Sequence, residues 1–122
     1  MKIWDVPALW ERAKDLPTIS VSIEELDELD RVAWYGADRH SGRLTVRQCV
    51  AHAKRIDEAD IEQPILLSPD GKMLDGFHRL GKALKIGLTH LPAKQLPFEP
   101  TPIRTVDMPD YILHTYFPEQ TA

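Results

Sequence analysis

The chain has 122 residues, of which 43% are hydrophobic and 28% are charged. A chain of this size holds a single core, and this balance of apolar and charged residues excludes an intrinsically disordered protein. Fifteen Lys and Arg against nineteen Asp and Glu give a formal net charge of -4, which provides no overall positive field for duplex nucleic acid. Specific DNA binding is therefore disfavoured.

The cysteine content and the hydropathy exclude two further classes. The single cysteine, Cys49, cannot form a disulfide within the chain. No apolar run approaches the roughly 18 residues that a membrane span needs, and the charges of Lys2, Asp5 and Glu11 interrupt any leader-like apolar segment. We expect a cytoplasmic protein that does not enter a membrane.

The N-terminal part predicts a helix followed by a strand. Asp5 is a suitable N-cap for a helix over about residues 6 to 15, which Pro17 ends. In TISVSI, at 18–23, β-branched residues alternate with polar ones, which predicts a strand. The acidic residues 24–30 fit a single helical turn.

A loop and an amphipathic helix follow. The segment GADRHSGR, at 36–43, is basic and has the composition of a loop. Such a loop can close over a nucleotide, but a solvated loop is the favoured interpretation. Thr45 is a good N-cap for a helix in which apolar residues recur at intervals of three and four. These residues are Val46, Cys49, Val50, Ala53 and Ile56. We expect this stripe, with Cys49 in it, to be buried.

The second half predicts two strands joined by a tight turn, and then a helix. ILL at 65–67 is a continuous apolar run, typical of a buried strand. Residues 68–72 contain Pro, Asp and Gly in the order of a reverse turn, and extended structure resumes at Met73. A helix begins just after Gly76 and ends at Gly87, a typical C-cap glycine.

The two faces of this helix differ in chemistry. One is apolar and the other basic. The apolar face carries Phe77, Leu80, Ala83 and Leu84, and the basic face carries His78, Arg79, Lys82 and Lys85. Beyond the helix we expect a strand at 89–96, a proline-rich connector, a short strand in IRTVD at 103–107 and a terminal helix at 109–117.

The start of this helix is a candidate phosphate site. A turn at Asp75 and Gly76 leads into the helix, so free backbone N–H groups lie beside His78 and Arg79. Arg binds phosphate in bidentate fashion. The alternative is that Asp75 is only the N-cap and the basic pair is merely solvated.

The sequence LLSPDGKMLDGFHRLGKALKIGLTHLPAKQL resembles the ParB/sulfiredoxin superfamily, most specifically from Leu74 to Leu84. The resemblance implies an α/β fold with a small mixed sheet and flanking helices, and a nucleotide held by its phosphates at the helix start. It places this domain at residues 18–97, after a helical extension at 1–17 and before a connector and helix at 98–122 that pack on it.

The resemblance also implies roles for particular residues. Gly76, His78 and Arg79 match the phosphate-binding motif, Phe77 lies inside it, and Asp75 matches the acidic position before it. Lys82, on the same basic face, would add a further cation for the nucleotide.

The sequence departs from two branches of the superfamily at the residues that define their activities. Sulfiredoxins carry a catalytic cysteine where this chain has Phe77, so sulfinic acid reduction is not expected, and Cys49 on an apolar stripe is a poor substitute. Chromosome-partitioning ParB proteins have a glutamate at Phe77, an arginine at His78 and an added DNA-binding domain, none of which this chain has. It is more similar to stand-alone members with an Asp-Gly-X-His-Arg motif, which include an ADP-dependent kinase of free serine.

On the kinase interpretation the ligands are ATP or ADP with Mg²⁺, and possible chemistries are phosphoryl transfer and nucleotide hydrolysis. His78 and Arg79 would hold the phosphates, and Asp75 would hold the metal and be catalytic with them. The base would be an acidic residue early in the domain, represented by Glu24, with Glu25 and Asp30 as alternatives. A solvated acidic surface is the favoured interpretation of all three.

The remaining histidine and aromatic residues do not indicate a catalytic or metal site. No two histidines have metal-ligand spacing, so a zinc site is not expected. Aromatic residues lie near the two ends of the chain, where they either dock the termini, which is favoured, or form an apolar patch for a partner or a homodimer. These residues are Trp4, Trp10, Tyr111, Tyr116 and Phe117.

Two functions stay open on the sequence alone. The first is a nucleotide-binding domain, with or without catalysis on a small-molecule substrate. The second is a non-catalytic interaction module with the same fold. A nuclease or DNA-binding protein ranks last, because the net charge is negative and few carboxylates are suitably placed.

Overall fold

The computed structural model of the chain describes residues 2–31, 33–34, 43–102 and 104–105. Its strands are β1 (Lys2–Ile3), β2 (Ile19–Ser22), β3 (Ile65–Leu67), β4 (Met73–Asp75), β5 (His90–Gln95) and β6 (Arg104–Thr105). Its helices are α1 (Val6–Ala13), α2 (Val46–Glu58) and α3 (Phe77–Lys85), and the acidic stretch forms two 3-10 helices, Ile23–Glu25 and Asp27–Asp30. The predicted loop at 36–43, except Arg43, and the predicted terminal helix at 109–117 lie outside the described residues.

A four-stranded mixed sheet forms the centre of the fold, with its strands in the order β2, β5, β3, β4. β5 pairs antiparallel with β2 and parallel with β3, and β3 pairs antiparallel with β4. β1 and β6 form a separate antiparallel pair. The predicted α/β class, a small mixed sheet with flanking helices, is confirmed. Because β3 and β4 are antiparallel, the end of β4 lies beside the start of β3, and α3 begins there.

Both faces of the sheet are covered, which explains the continuous apolar run of β3. Side chains alternate along a strand, so Leu66 packs against Leu9 and Ala13 of α1, while Ile65 and Leu67 pack on the opposite face. That opposite core also contains residues of the first 3-10 helix, β4, β5 and α3: Ile23, Met73, Leu91, Ala93, Leu80 and Ala83. Trp4 and Trp10 pack in the α1 cluster, so they dock the N-terminal segment onto the sheet.

The edge strand β4 is protected by the acidic stretch. Oε1 of Glu28 accepts a hydrogen bond from the backbone N–H of Met73 over 2.9 Å. An unpaired edge of a sheet is prone to pair with another chain. Glu28 therefore satisfies one backbone N–H group of that edge, which would otherwise be available to another strand.

The expected burial of the apolar stripe on α2 is wrong. The helix begins as predicted, with Thr45 and Gln48 forming a capping box, yet α2 has no buried residue. Val46 is 82% exposed, Val50 is 63% exposed, and Cys49 is also exposed. Helix α3 lies between α2 and the sheet, so the stripe of α2 does not reach the core.

Helix α3 forms as predicted, with one difference in its apolar face. It starts at Phe77, directly after Gly76. Leu80 and Ala83 are buried against the sheet, but Leu84 is 52% exposed. Within the part of the chain that the structure describes, no helix combines the length and the apolar character that crossing a membrane requires.

Candidate functional site

Helix α3 has a glycine as its N-cap residue. Gly76 is the N-cap residue, its φ is 108°, and no side chain caps the helix there. A Cβ at Gly76 would lie 2.5 Å from Cγ2 of Ile65, so β3 approaches too closely for any other residue. The alternative interpretation, in which Asp75 is only the N-cap, is therefore wrong. The first-turn N–H groups of α3 have no carbonyl partner within the helix, and Gly76 has no side chain that could cap them.

Asp75 instead bonds to the N-terminal helix. Its Oδ2 accepts a hydrogen bond from Nε1 of Trp10 at 2.8 Å. The carboxylate is half-buried at the end of β4, where it also faces the start of α3. One carboxylate oxygen of Asp75 is thus engaged by Trp10.

The two cations predicted on α3 have different surroundings. Arg79 is half-buried, and Nη1 donates to the backbone carbonyl of Pro64 at 3.1 Å, which fixes the side chain beside β3. Nζ of Lys82 donates to the carbonyls of Asp57 and Ala59 at 3.0 and 2.8 Å. Lys82 thereby satisfies carbonyls at the C-terminal end of α2. It does not line the cleft described next.

A cleft with a volume of about 570 Å³ opens in front of the N-terminus of α3. Its walls come from α2, the end of β4, the first turn of α3 and residues 33–34. The lining residues are Ala33, Trp34, Arg55, Glu58, Ala59, Asp75, Gly76, Phe77, His78 and Arg79. Two guanidinium groups, Arg55 and Arg79, stand against two carboxylates, Glu58 and Asp75. The charge state of His78 therefore decides whether the described lining is neutral or positive.

An aromatic stack forms one wall of the cleft. Nδ1 of His52 on α2 lies 2.9 Å from Nε2 of His78 on α3, so one ring donates a hydrogen bond to the other. The ring of Trp34 stacks on both, with centroid distances of 4.7 Å to each. The two imidazoles are themselves nearly parallel, at 17°. This stack fixes the position and the plane of the His78 ring.

The surroundings of His78 favour its neutral form. Burial lowers the pKa of His78, and its electrostatic interactions with His52 and Arg55 lower it further. The carboxylate of Asp75 acts in the opposite direction without reversing the shift. At neutral pH His78 is therefore an uncharged imidazole that can accept a proton.

The structure brings together some of the predicted site residues and separates others. Asp75, Gly76, Phe77, His78 and Arg79 all line the cleft. Glu24 is exposed in the first 3-10 helix and does not line it. Glu24 follows β2, which is the opposite edge strand of the sheet from β4.

Sequence reasoning missed several residues of this site, among them Trp10, Trp34, His52, Arg55 and Glu58. His52 and Arg55 lie three apart on α2, on a face adjacent to the apolar stripe, which is a signal that they share a surface. Nothing in the sequence showed that this surface meets α3. The pairing of Trp10 with Asp75 spans 65 positions and has no local signal.

Within the described part of the chain, the predicted magnesium ligand Asp75 has few other acidic, cysteine or histidine side chains grouped with it. Among the described residues no group of three or more His, Cys, Asp or Glu side chains is arranged to hold a metal ion. Asp75, the predicted ligand, has one oxygen engaged by Trp10. Mg²⁺ prefers several oxygen ligands and commonly takes them from substrate phosphates, so no step is assigned here to a bound ion.

Comparison with known proteins identifies one similar structure. No protein-family model matches the chain, and no curated protein matches it in sequence. Among solved structures, it is similar to a Pnob8-like ParB-N domain in its C2221 form, with 21% identity and a TM-score of 0.41. The similarity covers 69% of this chain and 31% of the ParB-N chain. This chain therefore spans about a third of the length of the ParB-N chain.

Proposed function

We propose that the cleft binds a nucleotide by its phosphates at the N-terminus of α3. The observation that carries the proposal is the uncapped helix start at Gly76, which opens into a cleft of about 570 Å³ between two arginines. Backbone N–H groups at a helix N-terminus, with the partial positive charge of the helix dipole, bind phosphate. The cleft has the volume of a typical small-ligand site.

Two arginines supply positive charge for binding a phosphate. Arg79 enters from the first turn of α3 and Arg55 from α2, so a phosphate at the helix start would lie between two guanidinium groups. Arg79 has one nitrogen bound to Pro64 and keeps its other donors. Trp34 and Phe77 supply apolar surface for the less polar part of a nucleotide.

Phosphoryl transfer or hydrolysis is the catalytic extension of this proposal. It needs a carboxylate close to the acceptor hydroxyl or water. Glu58 lines the cleft and Glu24 does not, so Glu58 is the better candidate for a base. Mg²⁺ would enter with the phosphates of ATP or ADP.

Specific DNA binding is not proposed. The cleft offers two arginines against two carboxylates, Glu58 and Asp75. Duplex binding requires many phosphate contacts from an excess of positive charge. The described site lacks that excess.

Calorimetric titration of the full chain with ADP and ATP tests the proposal. Arg79→Ala should weaken binding by about 1.5 to 3 kcal/mol, the range for a charge-assisted hydrogen bond, and Arg55→Ala should weaken it in the same direction. Arg47→Ala is the matched control, because Arg47 is exposed on α2 and does not line the cleft. If all three variants bind ADP and ATP with the same affinity, or if the wild-type chain binds neither nucleotide, the proposed site is refuted.

A further inference from the structure

We propose that His52 and His78 act as a pair that couples anion binding in the cleft to the uptake of one proton, with His78 facing the ligand and His52 positioning it. This inference rests on the proposed phosphate site. It adds a residue outside the cleft lining, His52, and a pH dependence to the binding of the anion.

The geometry of the pair provides for one additional proton. Nε2 of His78 lies 2.9 Å from Nδ1 of His52. If His78 carries protons on both nitrogens, its Nε2–H donates to the unprotonated Nδ1 of a neutral His52, and its Nδ1–H is free for a ligand. A hydrogen bond from a cationic donor is stronger than a neutral one. Since a positive charge on His52 lowers the pKa of His78, the pair takes up only one proton, and a neutral His52 accepts the hydrogen bond from the protonated His78.

Stacking keeps this arrangement in place. Trp34 lies over both imidazoles at 4.7 Å, at interplanar angles of 25° to His52 and 20° to His78. A ring held on one face has few alternative orientations. The nitrogen of His78 that does not face His52 therefore keeps a fixed direction when the charge of the ring changes.

The charges around the pair oppose protonation until an anion arrives. Arg55 from α2 and Arg79 from α3 are positive, and Glu58 from α2 and Asp75 from β4 are negative. Burial and the interactions with His52 and Arg55 lower the pKa of His78 in the free protein, and Asp75 acts in the opposite direction. A dianion at the start of α3 adds negative charge next to the ring, which favours the imidazolium form. Binding therefore takes up a proton, and by linkage the affinity for the anion rises as the pH falls.

Sulfate is a suitable probe because it stays a dianion over the whole range from pH 6 to 8. We expect the affinity of the full chain for sulfate to rise by up to about tenfold for each pH unit of decrease near neutrality. Calorimetry in two buffers of different ionisation enthalpy would measure the proton uptake directly, and the C2–H resonances of His52 and His78 would shift on binding.

Two substitutions of His52 separate positioning from packing. His52→Phe keeps an aromatic ring under Trp34 but has no acceptor, so the proton uptake should be lost and the pH profile should flatten. His52→Gln keeps a side-chain acceptor and should restore part of the profile. His90→Phe is the matched control, since His90 is exposed at the start of β5 and does not line the cleft.

The outcomes distinguish this inference from the proposed function. Sulfate binding that is equal from pH 6 to 8, or a His52→Phe variant with the wild-type profile and proton uptake, would overturn the pair and leave the phosphate site standing. Absence of sulfate binding at every pH would overturn both.

Discussion

The indole Nε1 of Trp10 donates a hydrogen bond to Oδ2 of Asp75 over 2.8 Å, joining residues 65 positions apart. Trp10 belongs to α1, on one face of the sheet, and Asp75 ends β4, directly before the helix whose start faces the cleft. The N-terminal segment thus fixes the carboxylate that borders the candidate phosphate site. Assembly of that site depends on docking of α1.

Trp10→Phe tests this dependence. Phe keeps most of the packing but removes the donor to Asp75, so we expect the free energy of unfolding to fall by about 1.5 to 3 kcal/mol, the range for a hydrogen bond to a charged group. Denaturant unfolding measures the change. Trp4→Phe is the control, because Trp4 packs in the same cluster. Equal losses in the two variants would show that the bond to Asp75 contributes nothing beyond packing.

Gly76→Ala should destabilise the protein far more than Gly71→Ala. Both glycines have positive φ, 108° for Gly76 and 84° for Gly71, but only at Gly76 would the new Cβ meet Ile65, at 2.5 Å. We expect a loss of roughly 1 kcal/mol at Gly71, from backbone strain, and about 2 to 4 kcal/mol at Gly76, from strain plus overpacking. Thermal unfolding of the two variants measures the difference. A similar loss at both positions would remove the argument from close approach to β3.

The lowered pKa of His78 predicts how stability depends on pH in the absence of ligand. The unfolded chain binds a proton at His78 near the ordinary value of 6.5, and the folded chain binds it only at lower pH. Below that value the unfolded state holds more protons, so stability falls as the pH decreases and recovers as it rises above about 6.5. The urea midpoint of His78→Gln should fall less between pH 7 and 5 than that of the wild-type chain. Parallel decreases in the two proteins would contradict the shift.

Exposure of Cys49 makes its thiol accessible in the folded protein. We expect a thiol reagent to modify Cys49 completely in the native state, without denaturant. Because Cys49 does not line the cleft, the modified protein and Cys49→Ser should bind ADP with wild-type affinity. A native thiol that reacts only after unfolding would restore the buried stripe that the sequence predicted.

The local elements were predictable because their signals are local. Asp5 and Thr45 cap helices as expected, and the turn before Met73 and the helix after Gly76 follow from proline and glycine positions. The exposure of the apolar stripe of α2 was not predictable. An apolar stripe shows that a helix is amphipathic, and the stripe of α2 stays exposed because α3 occupies the sheet face.

The candidate site was predictable only where it is contiguous in sequence. Gly76, His78 and Arg79 form a local motif. His52 and Trp34 reach His78 through tertiary packing, across 26 and 44 positions, and no spacing rule connects them. The resemblance suggested Glu24 as the base, whereas the structure places Glu58 in the cleft together with Asp75.

The most direct test of the phosphate site is the response of backbone amides to a nucleotide. In a titration of the ¹⁵N-labelled chain with ADP, we expect the largest shifts at the amides of Phe77, His78 and Arg79, with smaller ones at the indole N–H of Trp34. The Arg79→Ala variant should need a higher ADP concentration for the same shifts, and Arg47→Ala should behave as the wild type. Shifts that are absent from the start of α3, or that cluster elsewhere on the chain, would contradict the assignment.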